Sequence, residues 1–172
     1  MKKLVAATTV LAVLACCLGA QVDQISQVTL RIDGVHDDND GIAIMDALRQ
    51  VPNIKVANRP TAKDPSTTLV PLDGASYDIG DLARAVAAAK TPNRAKGPPS
   101  AWLVLSYQGH EERGMEETLA RSLELSCSKL KGVDAKKCRL DTERKEVHLK
   151  LYDVGGAKLA DITAAFPGLD VE

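Results

Sequence analysis

The stretch that decides the fold covers residues 28–54 and reads VTLRIDGVHDDNDGIAIMDALRQVPNI. Apolar and polar residues alternate from Val28 to Asp33, which predicts a strand with one buried face. After Gly34, hydrophobic residues recur at helical spacing, and Pro52 ends the run. A second strand is expected from Ile54. The stretch therefore predicts a β-α-β beginning.

The same kind of alternation and periodicity continues through the rest of the chain. A polar segment with three prolines, residues 91–100, predicts a linker between two halves. Each half then reads β-α-β-β-α, so the predicted fold class is α+β, with two tandem ferredoxin-like units and antiparallel sheets. A single larger α/β domain is the alternative. The further elements are expected at residues 67–72 (strand), 78–89 (helix), 101–107 (strand), 119–130 (helix), 137–141 and 146–152 (strands) and 157–166 (helix).

The first twenty residues have the features of an export signal. Lys2 and Lys3 precede an apolar run over residues 4–18, and small residues lead to a cleavage position after Ala20. The apolar run is short for a membrane span. A lipoprotein signal that ends at Cys16, with that cysteine lipidated, is the alternative. Both predict an exported protein that is periplasmic, secreted or lipid-anchored at the cell envelope. The predicted division is a signal peptide at 1–20, a domain at 21–90, the linker at 91–100 and a second unit at 101–172.

Charge and motifs restrict the classes of function. Cleavage after Ala20 leaves 20 basic and 23 acidic residues, a net charge of −3. Nucleic-acid-binding domains carry an excess of positive charge, so this charge argues against nucleic acid as a partner. Contact with a membrane is expected only through a lipid at Cys16. No nucleophile-base order and no phosphate-binding glycine loop stands out, so the chain is predicted to be non-catalytic.

Residues 27–89 carry a resemblance to a known family. Gly34 to Asp40 lies between the first strand and first helix, and residues 46–54 follow without a gap in register. Further on, residues 77–86 are similar to the start of a second helix. This order resembles the heavy-metal-associated (HMA) domain, the βαββαβ module of copper chaperones and metal-pumping ATPases. That family has Gly-Met-x-Cys-x-x-Cys at this loop, and its two cysteines fall here on Asp37 and Asp40. The resemblance implies a ferredoxin-like frame that has lost thiolate metal binding. We expect such a frame to act as an interaction module, which binds a protein partner through its sheet edges.

The loop that replaces the cysteines has two interpretations. His36, Asp37 and Asp40 offer an imidazole and carboxylates, which suit Zn(II), Ni(II) or Cu(II) better than Cu(I). A divalent metal carrier or sensor is therefore the alternative function, and an enzyme with a catalytic ion in this loop is a third. Acidic residues at a helix N-terminus also stabilise the helix without any metal. Residues 110–112, His-Glu-Glu, occupy the corresponding loop of the second half, where solvation is the simpler explanation.

Two cysteines and a third histidine complete the candidates. Cys127 and Cys138 form an even pair in an oxidising compartment, which predicts a structural disulfide. Two buried free thiols, or metal binding by the pair, are the alternatives. His148 lies in an alternating strand, opposite the apolar residues, and is predicted to be a surface histidine.

Overall fold

The computed structural model describes residues 27–72, 78–106, 115–152, 156 and 158–166. The predictions at Cys16, Ala20 and residues 110–112 lie outside these ranges. The predicted order of strands and helices is confirmed, with bounds that differ by a few residues. The elements are β1 Val28–Asp33, α1 Asp38–Leu48, β2 Ile54–Val56, β3 Ser66–Pro71, α2 Ile79–Ala88, a 3-10 helix Arg94–Lys96, β4 Ser100–Ser106, α3 Met115–Ser128, a 3-10 helix Ala135–Lys137, β5 Arg139–Asp141, β6 Glu146–Lys150 and α4 Leu159–Ala165.

The strands form one six-stranded antiparallel sheet in the order β2-β3-β1-β4-β6-β5. This confirms the α+β class and the antiparallel pairing. The sheets of the two halves are continuous, however, because β1 pairs with β4 at the centre, with Leu30 opposite Leu103. An unpaired β1 or β4 would leave a row of backbone donors and acceptors at an apolar edge, and the pairing satisfies them. The segment predicted as a linker contains a 3-10 turn and the first residue of β4.

The core lies on one face of this sheet. Val28, Leu30 and Ile32 of β1 are buried, whereas Thr29 and Arg31 between them are half-buried and point to the opposite face. All four helices contribute apolar side chains to the same buried cluster as this face of the sheet. The opposite face therefore has no helix of the described chain packed on it. Within the described residues, no helix combines the length and the apolar character needed to cross a membrane.

A close approach of backbone to helix explains one glycine of α1. A Cβ at Gly41 would overlap the carbonyl oxygen of Pro60, in the loop between β2 and β3. Gly41 itself is buried. The helix therefore lies against this loop at a distance that only glycine permits.

Candidate functional site

The loop that holds Asp37 is an N-cap in the structure. Asp37 precedes α1 in an extended conformation, and its Oδ1 accepts hydrogen bonds from the backbone N–H groups of Asn39 at 2.9 Å and Asp40 at 3.0 Å. Its Oδ2 accepts a hydrogen bond from Nδ2 of Asn93 at 2.7 Å. The backbone N–H of Asp40, followed by the side chain of Asn93, holds the pKa of Asp37 below its usual value.

Asp40 is fully buried and equally well bonded. Its Oδ1 accepts from the backbone N–H of Asn93 at 3.0 Å, and its Oδ2 accepts from the backbone N–H of His36 at 3.0 Å and from Nδ2 of Asn93 at 3.1 Å. Burial raises the pKa of this carboxyl, but the hydrogen bonds from Asn93 and His36 outweigh it, so the pKa of Asp40 is lowered. Asp40 thus joins the start of α1 to the segment before β4.

These contacts bear on the predicted metal ligands His36, Asp37 and Asp40. All four carboxylate oxygens of the two aspartates accept hydrogen bonds within the protein. The described residues do contain a group of three potential metal ligands within 4.8 Å of one another. It consists of Asp141, Glu146 and His148, and it does not include His36, Asp37 or Asp40. The geometry therefore gives Asp37 and Asp40 a structural function, and their use as metal ligands stays a prediction.

The two cysteines predicted to pair lie beside each other. Both are thiols in the structure, Cys127 buried on α3 and Cys138 half-buried just before β5. Contact with Cys138, and then burial, raise the pKa of the Cys127 thiol far above its usual value. The Cys138 Sγ donates to the carbonyl oxygen of Asp134 at 3.3 Å. The two thiol side chains therefore contact each other, and the disulfide itself stays a prediction.

The sheet face opposite the core carries a second set of polar side chains, which we call the open face. Strand register places Arg31 opposite Trp102 and Trp102 opposite Lys150, so the three form a row across β1, β4 and β6. His148 pairs with both Val104 and Arg139 in the same way. The open face consists of Thr29, Arg31, Asp33, Trp102, Val104, Arg139, Asp141, Glu146, His148 and Lys150.

Trp102, the one tryptophan of the chain, is at the centre of this face. Lys150 Nζ lies 4.5 Å and Arg139 Cζ 4.7 Å from the centroid of its ring, so two cations stack on the indole. Trp102 Nε1 donates to Oδ2 of Asp33 at 2.6 Å. Lys150 Nζ donates to the same oxygen at 3.4 Å and to the Ser100 hydroxyl. Burial lowers the pKa of Lys150, and Asp33 opposes that shift.

A shallow cleft of about 600 Å³ lies over this part of the open face. Arg31, Trp102, Arg139 and Arg144 contribute to its lining. The Arg31 guanidinium forms no hydrogen bond or ion pair with any residue that the structure describes. Trp102 itself is buried, at 5% exposure, so the cleft mainly offers the charged side chains around the indole. Among them, Arg31 has no partner within the described ranges.

The far side of the cleft, at the β5–β6 hairpin, is acidic. Asp141 lies directly opposite Glu146, and Glu146 Oε2 is 2.7 Å from Nε2 of His148. His148 lies on the face predicted from the sequence, although its side chain is only 12% exposed. Its burial comes from neighbours on other strands, which its own strand cannot reveal.

Sequence reasoning did not select the residues of the open face as a site. The alternation in residues 146–150 already indicates that Glu146, His148 and Lys150 share one side of their strand, which could have grouped these three residues. Their position beside Trp102 depends on the β4–β6 register, which no local pattern specifies.

No protein-family model, curated protein or solved structure matches the chain. The resemblance of residues 27–89 to the HMA domain therefore stays a proposal.

Proposed function

We propose that the protein is an exported, non-catalytic binding module whose open face binds a protein partner. Its frame consists of two ferredoxin-like βαββα units of HMA type, fused through β1 and β4. The identical strand order of the halves, β2-β3-β1 and β5-β6-β4, supports this description. Export rests on the signal-like residues 1–20, and the loss of thiolate metal binding rests on Asp37 and Asp40 at the two cysteine positions.

The arrangement around Trp102 is the observation that carries the proposal. Trp102 is buried under the cations around it, so a partner would reach mainly those charged side chains. Arginine is among the residue types enriched where binding energy concentrates in protein interfaces. Here Arg31 is the cross-strand neighbour of Trp102 and has no partner among the residues that the structure describes, and Arg139 and Lys150 lie over the ring. A partner segment that carries carboxylates suits this row of cations.

The face is a better candidate than the sheet edges predicted from the sequence. The edge strands of the described sheet are β2 and β5, and each has three residues. Strands this short provide few backbone hydrogen bonds for strand addition. The sheet face offers side-chain contacts over four strands.

A pair of charge reversals tests the proposal. The mature chain, residues 21–172, is immobilised and used to capture partners from the cell envelope fraction, and affinity for a captured partner is measured from Trp102 fluorescence. Arg31→Glu should weaken binding by at least about tenfold, because it sets an acid against the partner's carboxylates. Arg84→Glu is the matched control, since Arg84 is an exposed arginine of α2, a helix on the covered face.

The proposal fails if the two variants bind alike, or if no partner binds saturably. Sedimentation of both variants shows whether a second copy of the chain is the partner. In that case Arg31→Glu alone would shift a dimer to monomer.

A further inference from the structure

The β5–β6 hairpin brings three potential metal ligands together on the open face. Asp141 and Glu146 are cross-strand partners, and His148 follows Glu146 by two residues on the same face of β6. One ligand atom from each of the three lies within 4.8 Å of the others, and His148 Nε2 is 2.7 Å from Glu146 Oε2. The strand geometry itself therefore produces the convergence.

The two carboxylates of this cluster have no lysine or arginine as ion-pair partner in the described chain, although arginines line the same cleft. Arg139 is the cross-strand partner of His148, but its guanidinium lies over the Trp102 ring. Arg144 supplies only its backbone N–H, which donates to Oδ1 of Asp141 at 3.0 Å. Two carboxylates so close together repel each other unless a positive charge lies between them.

We propose that Asp141, Glu146 and His148 bind a divalent cation of the zinc class. One imidazole nitrogen with two carboxylate oxygens suits Zn(II), Co(II) and Ni(II), whereas Ca(II) and Mg(II) take oxygen ligands. Bonds of about 2.0 to 2.2 Å to a tetrahedral ion place ligand atoms roughly 3.3 Å apart. The ligand atoms lie within 4.8 Å of one another, and the distance from His148 Nε2 to Glu146 Oε2 is 2.7 Å, so side-chain rotation would have to complete the site.

Three protein ligands would leave one position of a tetrahedral ion for a further ligand, and two of the three, Asp141 and His148, line the cleft. A carboxylate of a bound partner could occupy that position. The cation site does not depend on partner binding, however, and it is separate from the loop at His36, Asp37 and Asp40.

Titration calorimetry of residues 21–172 with Zn(II), and cobalt spectroscopy, test the site. We expect one Zn(II) per chain and no competition from Ca(II). His148→Gln, Glu146→Gln and Asp141→Asn should each weaken Zn(II) binding by at least about tenfold, since each removes one ligand. Two matched controls should bind Zn(II) as the wild type does: His36→Ala, which removes an imidazole elsewhere, and Cys127→Ser/Cys138→Ser, which removes the thiolates.

Circular dichroism establishes which variants are folded, and the three neutral, polar replacements give three independent tests. The proposal is overturned if Zn(II) binding survives in folded His148→Gln and Glu146→Gln, if it is lost in either control, or if no stoichiometric binding occurs. A thiolate-to-cobalt charge-transfer band would also overturn it. Partner binding is measured separately with Arg31→Glu, so failure of the cation site leaves the proposed function untouched.

Discussion

Replacement of Asp40 by asparagine tests what the acidic loop does. The carboxylate is fully buried and accepts three hydrogen bonds, two from Asn93 and one from the backbone of His36. Asparagine has nearly the same shape, but it loses the charge and one acceptor oxygen. In either orientation, its amide nitrogen faces at least one N–H donor.

The magnitude follows from the contacts. A hydrogen bond to a charged group contributes about 1.5 to 3 kcal/mol, and a buried donor left without an acceptor costs about 1 to 3 kcal/mol. Loss of one or two such bonds predicts that Asp40→Asn lowers the free energy of unfolding by about 2 to 4 kcal/mol. That is a large fraction of the roughly 5 to 15 kcal/mol typical of a folded domain.

Urea unfolding of residues 21–172, followed by Trp102 fluorescence, measures this loss with and without EDTA. Asp38→Asn is the control. The Asp38 side chain is 70% exposed, and its Oδ2 lies 3.6 Å from Nη2 of Arg59 in a surface ion pair. Such an exposed pair contributes about 0 to 1 kcal/mol.

The effect of Asp40 should also depend on pH. Its pKa is lowered in the folded protein, so its contribution is present above the unfolded pKa of about 3.9 and is lost as the pH falls through the folded pKa. The difference between wild type and Asp40→Asn should therefore be constant from about pH 5 to 7 and shrink below about pH 4. A difference below about 0.5 kcal/mol at neutral pH would refute the reasoning. A loss that disappears in EDTA would mean that Asp40 serves a metal.

Three further predictions use the same unfolding assay. Gly41→Ala should lower the free energy of unfolding by about 1 to 3 kcal/mol, because the new Cβ would overlap the Pro60 carbonyl oxygen. The overlap outweighs the gain of about 1 kcal/mol in helix propensity. A stabilised variant would contradict this packing. Trp102→Phe, followed by circular dichroism, should cost about 1 to 2 kcal/mol through the lost bond to Asp33, and an unchanged midpoint would show that this bond contributes nothing. If Cys127 and Cys138 form the predicted disulfide, dithiothreitol should lower stability by about 2 to 3 kcal/mol in the wild type and not in the double serine variant.

Much of the architecture was predictable because its signals are local. The alternation of Val28, Leu30 and Ile32 with polar residues identifies β1 and its buried face, and both are confirmed. The acidic residues before α1 predicted either an N-cap or a metal loop, and the hydrogen bonds of Asp37 show the N-cap. The union of both halves in one sheet was not predictable, because alternation identifies a strand's buried face and not its neighbour.

By itself, the sequence determined the order of strands and helices and the apolar side of each, since these depend on spacing within a few residues. Only the tertiary structure decided which distant groups meet. Asn93 bonds to Asp40 across 53 positions, and Trp102 lies between Arg139 and Lys150 because β4 pairs with β6. Such contacts arise from strand register and helix docking, which bring together side chains that no local pattern relates.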